Sequence, residues 1–336
     1  MKVQGMAARQ QGAKLESYSY ELGSPQAFDC LIKVQACGLC HSDIHMVDND
    51  WDMTEYPIVP GHEAIGEVVE VGSSVNHLQV GDRVGVGWQG GACLQCDDCL
   101  RGNENLCDSH EPTIVRGPGG FADYLMVDSR FAFPIPAGVE ARSAGPLLCG
   151  GITVYSGLRQ GGMTSGQEIG ILGIGGLGHM AVQFASRLGN RVTVFTTSQD
   201  KADLAEQLGA HEAIVVPKGE LPPPGDGNLD LILSTVPADL DWGAYAAHLK
   251  SNGALTFVGV PNSGELTLPF WSLLMKQRRI VPSIIGGRPR IREMLSVAER
   301  FGIEPMVEEF PLERVNEAIA KVRDNTIRYR AVLTVG

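Results

Sequence analysis

Between residues 31 and 127 apolar and polar positions alternate in short runs, at 31–35, 64–71, 83–86 and 122–127, broken by glycine-containing turns. A period of two places every second side chain on one face, so these runs read as strands of a small β-rich, barrel-like domain. After Cys149 the rhythm changes. Apolar runs at 168–172, 191–195, 213–216, 229–234, 254–258 and 280–284 alternate with stretches of helical spacing, including 177–188. Strands covered on both faces lose their polar positions, so this half predicts an α/β domain with a doubly wound parallel sheet. The segment 221–227, Leu-Pro-Pro-Pro-Gly-Asp-Gly, lacks donors at its prolines and predicts an exposed loop. Helical patterns at 291–301 and 313–322 and a strand at 329–335 close the chain, and pattern alone assigns them to neither half.

Composition sharpens this picture in three ways. A length of 336 residues is long for one hydrophobic core and implies two domains. The formal charge of −12 opposes both nucleic acid and an anionic membrane surface, which leaves a small neutral molecule as the fitting partner. Residues 1–11 hold no apolar leader, and nowhere do about 18 apolar residues run together, so the expectation is a cytoplasmic protein that spans no membrane. Eight cysteines in a reducing compartment are then metal ligands or buried thiols rather than disulfides.

Candidate chemistry gathers in three places. Cys93, Cys96, Cys99 and Cys107 follow the spacing C-x2-C-x2-C-x7-C within one glycine-flanked loop. Four thiolates can enclose a tetrahedral zinc with no open position, which is a structural role; an iron–sulfur cluster or four unrelated thiols are the other readings. A second set is dispersed: Cys40 in Cys37-Gly-Leu-Cys40-His41-Ser42-Asp43, His62 in Gly61-His62-Glu63, and Cys149 in Leu147-Leu-Cys149-Gly-Gly151. Taken singly, such residues also serve as core cysteines or hydrogen-bonded histidines. Third, the apolar strand at 168–172 runs into Gly173-Ile-Gly175-Gly176-Leu177-Gly178 and then a helix. Glycines admit a pyrophosphate close to the backbone, and the helix start supplies free N–H groups, so this turn reads as a dinucleotide cradle.

With these motifs in view, the chain resembles the zinc-containing medium-chain dehydrogenase/reductase superfamily, most of all its cinnamyl alcohol dehydrogenase-like branch of NADPH-linked aldehyde reductases. The matching segments are 37–51, 56–63, the four-cysteine loop, 144–155 and 328–330, and the resemblance spans nearly the whole chain. It implies a GroES-like catalytic domain at 1–150, a Rossmann NADP-binding domain at 151–285, and a return of 286–336 to the first domain. It also implies two Zn2+ ions per chain. One is structural; the other is catalytic, bound by Cys40, His62 and Cys149, the ligand set known for alcohol dehydrogenases. An ion held there would make the alcohol hydroxyl acidic enough to lose its proton, so that the carbon of the resulting alkoxide can pass a hydride to the nicotinamide.

By motif position, Ser42 takes the alcohol proton and His45 passes it to solvent, Glu63 lies behind the metal, and Asp43 partners the ligand histidine. Thr153 and Leu177 press on the nicotinamide, Arg330 binds the pyrophosphate, and Trp51 and Trp88 line an apolar pocket that excludes water. Trp271 belongs either to that pocket or to a dimer contact. The second strand of the nucleotide fold ends in Thr196-Thr197-Ser198, with Lys201 beyond it, where NAD-specific enzymes carry an Asp or Glu for the ribose hydroxyl. Without that carboxylate, NADP(H) is expected over NAD(H), unless Ser198 serves only to cap the next helix. The expected reaction is hydride transfer between NADP(H) and a primary alcohol or aldehyde, aromatic, cinnamyl-type or medium-chain aliphatic. Cys149 argues against a polyol dehydrogenase with glutamate among its zinc ligands, and the complete ligand and relay set argues against a redox-silent NADPH-binding protein. A homodimer is expected through the Rossmann sheet edges near 255–284, where a two-fold axis hides both edges.

Overall fold

The structure, a computed structural model, describes residues 1–336 and divides into two compact units, Met1–Cys149 with Gly286–Gly336, and Gly150–Ile285. In the first unit a seven-stranded sheet runs in the order Val307–Pro311, Arg330–Thr334, Asp29–Leu39, Glu63–Val71, Arg83–Val86 and Ala132–Pro134, with Tyr124–Asp128 also paired to Asp29–Leu39. The long strand Asp29–Leu39 organises this unit. Along one edge it pairs antiparallel with Glu63–Val71, with register shifts between Leu31 and Ile32 and between Val34 and Ala36. Along the other edge its first half takes Tyr124–Asp128 and its second half takes Arg330–Thr334. The closing strand of the chain is thereby part of the first unit's sheet. Its apolar core joins Val34, Leu39, Val68 and Phe121 to Phe310, Val315 and Leu333 from the C-terminal segment.

Several elements of this unit were not legible as elements in the alternation. The hairpin of Lys2–Ala7 and Glu16–Glu21 is polar along much of its second strand. The helix His41–Asp48 is short and weakly amphipathic; it ends where Asn49 turns left-handed at φ 55°. Its start is fixed by Asp43, whose carboxylate accepts the backbone N–H of Cys40 at 3.0 Å.

In the second unit six parallel strands lie in the order Glu212–Val215, Arg191–Thr196, Glu168–Leu172, Leu229–Ser234, Leu249–Phe257 and Arg279–Pro282. In sequence terms that is 3-2-1-4-5-6, the doubly wound nucleotide-binding order, whose ligand crevice lies where the order reverses, beyond the C-terminal ends of the strands. The turn that follows Leu172 sits there. Gly173 has φ +90°, and a Cβ on it would stand 2.4 Å from Val236. Gly178 opens the helix Gly178–Arg187 so close to the turn that a Cβ would reach 2.0 Å from the Gly173 carbonyl oxygen. Both positions therefore demand glycine. Segment 221–227 forms no helix or strand, as its prolines require.

Candidate active site and metal centres

The register of the first sheet assembles the dispersed residues. Gly38 faces Glu63 and Leu39 faces Ala331, so Cys40, His62, Glu63 and Arg330 converge at one end of three adjacent strands. Gly38 is required here, because a Cβ would lie 1.9 Å from the Glu63 carboxylate. The turn at Gly145–Leu148 then delivers Cys149. The ligand atoms of Cys40, His62, Glu63 and Cys149 all lie within 4.8 Å of one another, and all four residues are buried.

The donor set fits a metal ion. The Cys40 and Cys149 sulfurs are 3.9 Å apart, too far for a disulfide, yet close to the roughly 3.8 Å between two sulfurs on a tetrahedral zinc with Zn–S near 2.3 Å. His62 gives its Nδ1 to Asp43 at 2.9 Å, while its buried Nε2 has no partner. A buried ring nitrogen without a partner costs about 1–3 kcal/mol, which a metal bond there removes. One carboxylate, Asp43, thus receives the Cys40 N–H, the Gly61 N–H at 2.9 Å and the His62 ring.

Electrostatics separate the two thiols. The Cys149 thiol hydrogen-bonded to Cys40, assisted by Arg330 and His62, holds Cys40 well below the ordinary thiol range. Facing that thiolate, Cys149 is pushed well above it. For His62, burial acts downward, but Asp43 and Cys40 outweigh it and the ring is raised. Burial pushes Glu63 up, and Arg330 offsets this only in part while donating a hydrogen bond to its carboxylate.

A chain of aromatic and polar groups leads outward. Trp88 meets the His62 ring edge-on at 5.0 Å, Trp51 meets Trp88 edge-on at 5.6 Å, and His45 lies 5.1 Å from Trp51. Ser42 is placed beside Cys40, whose thiol is 3.8 Å from its hydroxyl. It is an interior residue of the helix His41–Asp48, not its cap, which is Cys40. His45 is half-exposed and its Nδ1 is 2.6 Å from the Asp50 carboxylate.

The second cluster is built locally. Cys93, Cys96, Cys99 and Cys107 also have their sulfurs within 4.8 Å of one another, with Cys93 3.9 Å from Cys99 and 3.5 Å from Cys107. Backbone N–H groups of Cys96 and Ser109 point at the Cys93 and Cys107 sulfurs, each at 3.4 Å. Such N–H groups lower Cys93 to about 6, whereas burial and its thiol neighbours push Cys99 up to about 12. Here the sulfurs match a closed tetrahedral site, with no carboxylate or imidazole in the group.

In the second unit Gly173, Gly175, Gly176, Leu177 and Gly178 form the turn after the first strand, and a Cβ on Gly175 would meet nothing within 4 Å. Thr153 is buried in the helix Gly150–Gln160. Residues 26–137 match the family of the alcohol dehydrogenase GroES-like domain and residues 176–300 that of zinc-binding dehydrogenases. An aldehyde reductase of Synechocystis sp. is 41% identical over 332 residues, covering 99% of this chain and 98% of its own length. The chain belongs to the zinc-binding alcohol dehydrogenase family. Mannitol dehydrogenase of Petroselinum crispum is 42% identical over 91% of this dehydrogenase and 94% of its own chain. The solved cinnamyl alcohol dehydrogenase of Sorghum bicolor superposes with a TM-score of 0.90 at 35% identity, covering 99% and 98% of the two chains. That of Helicobacter pylori, solved with NADP(H), gives 0.89 at 29% identity over the same shares.

Within the dehydrogenase the remaining residues singled out in the sequence take varied positions. Arg330 is buried against Glu63, with its Nη1 4.0 Å from the Cys40 sulfur, so its charge acts inside the cysteine–histidine cluster. Ser198 occupies the cap position of the helix Gln199–Gln207, but its hydroxyl makes no capping bond. Thr196 is the last strand residue and only 4% exposed, while Thr197 and Lys201 are open to solvent. Trp271 is 71% exposed on the second unit's surface. Asp50 was missed, although it lies only five residues beyond His45, because nothing in the pattern showed that the helix ends at Asp48 and folds back. Thr235 was also missed; its hydroxyl donates to the Leu172 carbonyl at 3.0 Å and braces the glycine turn.

Proposed function

We propose that this dehydrogenase holds two zinc ions per chain and reduces aldehydes, or oxidises the corresponding primary alcohols, with NADP(H) in preference to NAD(H). The observation that carries the reading is the buried Cys40–His62–Cys149 group, whose orphaned imidazole nitrogen and sulfur spacing suit a three-ligand zinc site. When bound there, zinc supplies a Lewis acid that makes an alcohol hydroxyl easier to deprotonate. Every other task falls to the protein's own groups. Asp43 fixes the His62 ring with Nε2 toward the sulfurs. Ser42 receives the substrate proton, and His45, oriented by Asp50, passes it to solvent. Trp88, edge-on to His62 and backed by the half-exposed Trp51, shields the cluster and gives an aromatic or allylic substrate a flat wall. Glu63 and Arg330 balance the charge around the thiolates. In the second unit, Gly173 to Gly178 cradle the pyrophosphate, with Thr153 and Leu177 against the nicotinamide.

NADP(H) is favoured by the strand end Thr196-Thr197-Ser198, which carries hydroxyls and no carboxylate, and by the free Ser198 hydroxyl. Steady-state kinetics with cinnamyl, benzylic and aliphatic aldehydes, and with mannitol in the reverse direction, test cofactor and substrate together. The expected result is a higher kcat/KM with NADPH; a higher value with NADH overturns the cofactor assignment. Thr196→Asp should cost NADPH several-fold more than NADH. Because it also buries a charge, Ser198→Asp, at a cap position that suits aspartate, is the companion variant.

A homodimer is supported by the second unit's edge. The strand Arg279–Pro282 ends the sheet, and in the chain segments on either side of it Val260, Phe270, Trp271, Met275 and Ile284 are exposed. A second copy related by a two-fold axis covers both the edge and this apolar surface. Light scattering at micromolar concentration is expected to give twice the chain mass; a monomer mass rejects the dimer. None of the eight cysteines is in a disulfide, which agrees with a reducing, cytoplasmic location, and no helix is long and apolar enough to cross a membrane.

A further inference from the structure

The four-cysteine loop touches the rest of the first unit through a contact that the zinc reading does not explain. Glu104 lies inside the loop, on the short turn Glu104–Leu106 between Cys99 and Cys107, and is 1% exposed. Its carboxylate accepts the backbone N–H of Arg288 at 2.9 Å and the Arg288 Nε–H at 2.7 Å. The Arg288 guanidinium also stands 5.5 Å from the Phe131 ring centroid. The backbones fit with no space to spare. A Cβ on Gly287 would lie 1.9 Å from the Gly102 carbonyl oxygen, and one on Gly102 would lie 2.7 Å from Pro289.

Arg288 starts the fourteen-residue helix Arg288–Phe301, immediately after the chain returns to the first unit at Gly286. Ile285, just before that point, has φ +29°, and the helix cap Gly287 offers no side chain. The start of the helix is therefore fixed from outside, by the Glu104 carboxylate on a first-turn N–H. The loop in turn has little structure of its own. From Cys93 to Cys107 it contains only the helix Asp97–Leu100 and the turn at Glu104, and Leu94 takes a left-handed φ of 58°. What holds the four sulfurs together therefore holds Glu104.

We propose that Glu104 is a positioning residue that links the four-cysteine metal site to the return segment, so that the helix Arg288–Phe301 is docked only while the loop is closed around its metal. The inference rests on the zinc reading of that loop. It assigns the loop a purpose beyond its own stability, namely anchoring the fifty-one residues Gly286–Gly336, which supply two strands of the first sheet.

Hydrogen exchange read by mass spectrometry on the full zinc-loaded chain tests it, with native mass spectrometry counting the metal. Glu104→Gln keeps the shape and all four cysteines but loses the charge. It should retain two zinc ions while the peptide 288–301 exchanges about tenfold faster or more, and the strand Glu168–Leu172 stays unchanged. Cys96→Ser should speed exchange of 288–301 in the parent and add little on top of Glu104→Gln, the non-additivity expected of one linked unit. Should Cys96→Ser fail to fold, graded chelation of the folded parent and of Glu104→Gln replaces it: loss of the four-cysteine metal should speed exchange of 288–301 in the parent and add little in Glu104→Gln. Unchanged protection of 288–301 in Glu104→Gln, or fully additive effects in the cycle used, overturns the link. Fewer than two zinc ions in the parent protein overturns the zinc reading instead, and the two failures are told apart by the metal count.

Discussion

The two cysteine clusters share thiolate donors and are built in opposite ways. Cys93, Cys96, Cys99 and Cys107 come from one stretch of fifteen residues, partly open to solvent, with four like ligands. Cys40, His62 and Cys149 come from segments spread over 109 residues and are buried, with a carboxylate and a guanidinium beside them. A closed set of four thiolates satisfies the metal and leaves nothing for a substrate, so its binding energy goes into folding. In the proposed reading, three ligands with an aromatic wall and a proton route leave the fourth place to chemistry. The contrast teaches that donor type selects the metal, whereas what surrounds the donors selects the task.

The largest expected effect breaks the pair apart. Cys40→Ala should lower kcat/KM by about a thousandfold or more while the melting temperature moves by only a few degrees. Cys96→Ala should instead lower the melting temperature by roughly 10 °C or more, because a closed site couples to folding. Calorimetry and steady-state rates on both variants check this; equal loss of stability in the two would erase the distinction. A second variant sharpens it at the level of support. Asp43→Asn replaces an acceptor by an NH2 group facing the Cys40 N–H or the His62 ring. Metal retention at the buried cluster should weaken by about 10–100-fold, with the four-cysteine zinc kept. Metal analysis under a graded chelator should therefore show one zinc per chain persisting.

The proposed proton route belongs to one cluster alone. His45→Gln should slow alcohol oxidation about tenfold or more at low pH with little change in KM, since in the proposed relay the group moves a proton and holds no substrate. Asp50→Asn should act in the same direction and more weakly, by leaving the ring unoriented. A pH–rate profile of either variant that overlays the parent's removes the relay. The smallest effect is the control. Cys30 is buried in a strand outside both clusters, and burial pushes its thiol up to about 12, so it is an inert core group. Cys30→Ala should cost about 1 kcal/mol in denaturant unfolding and leave metal content and rates unchanged.

How much could be read in advance follows the same division. The parallel strands Glu168–Leu172 and Leu229–Ser234 were legible to the residue, because each is an apolar run bounded by turn residues. The strand Leu249–Phe257 begins five residues before its apolar stretch, since its first half, Leu-Lys-Ser-Asn-Gly, carries no strand signal. The strand Arg279–Pro282 stops short of Ile284, which is exposed near the sheet's edge. The dispersed ligands were read only through a resemblance, because no spacing rule links Cys40 to Cys149.

The sequence by itself determined what depends on neighbours along the chain. The four-cysteine loop, the glycine turn after Leu172 and the proline-rich break at 221–227 are local, and local turn chemistry and periodicity encode them. Tertiary structure alone decided what depends on register and burial. Pairing Leu39 with Ala331 and Gly38 with Glu63 sets Arg330 against Glu63 and beside Cys40, across 290 residues of chain. Folding back at Asn49 sets Asp50 on His45, and docking of Gly102 on Gly287 and Pro289 sets Glu104 on Arg288 across 184 residues. A residue pattern carries the preference of each segment for a face. It does not carry which segment will cover that face, because that choice is made by the summed burial and hydrogen bonding of strands distant in sequence.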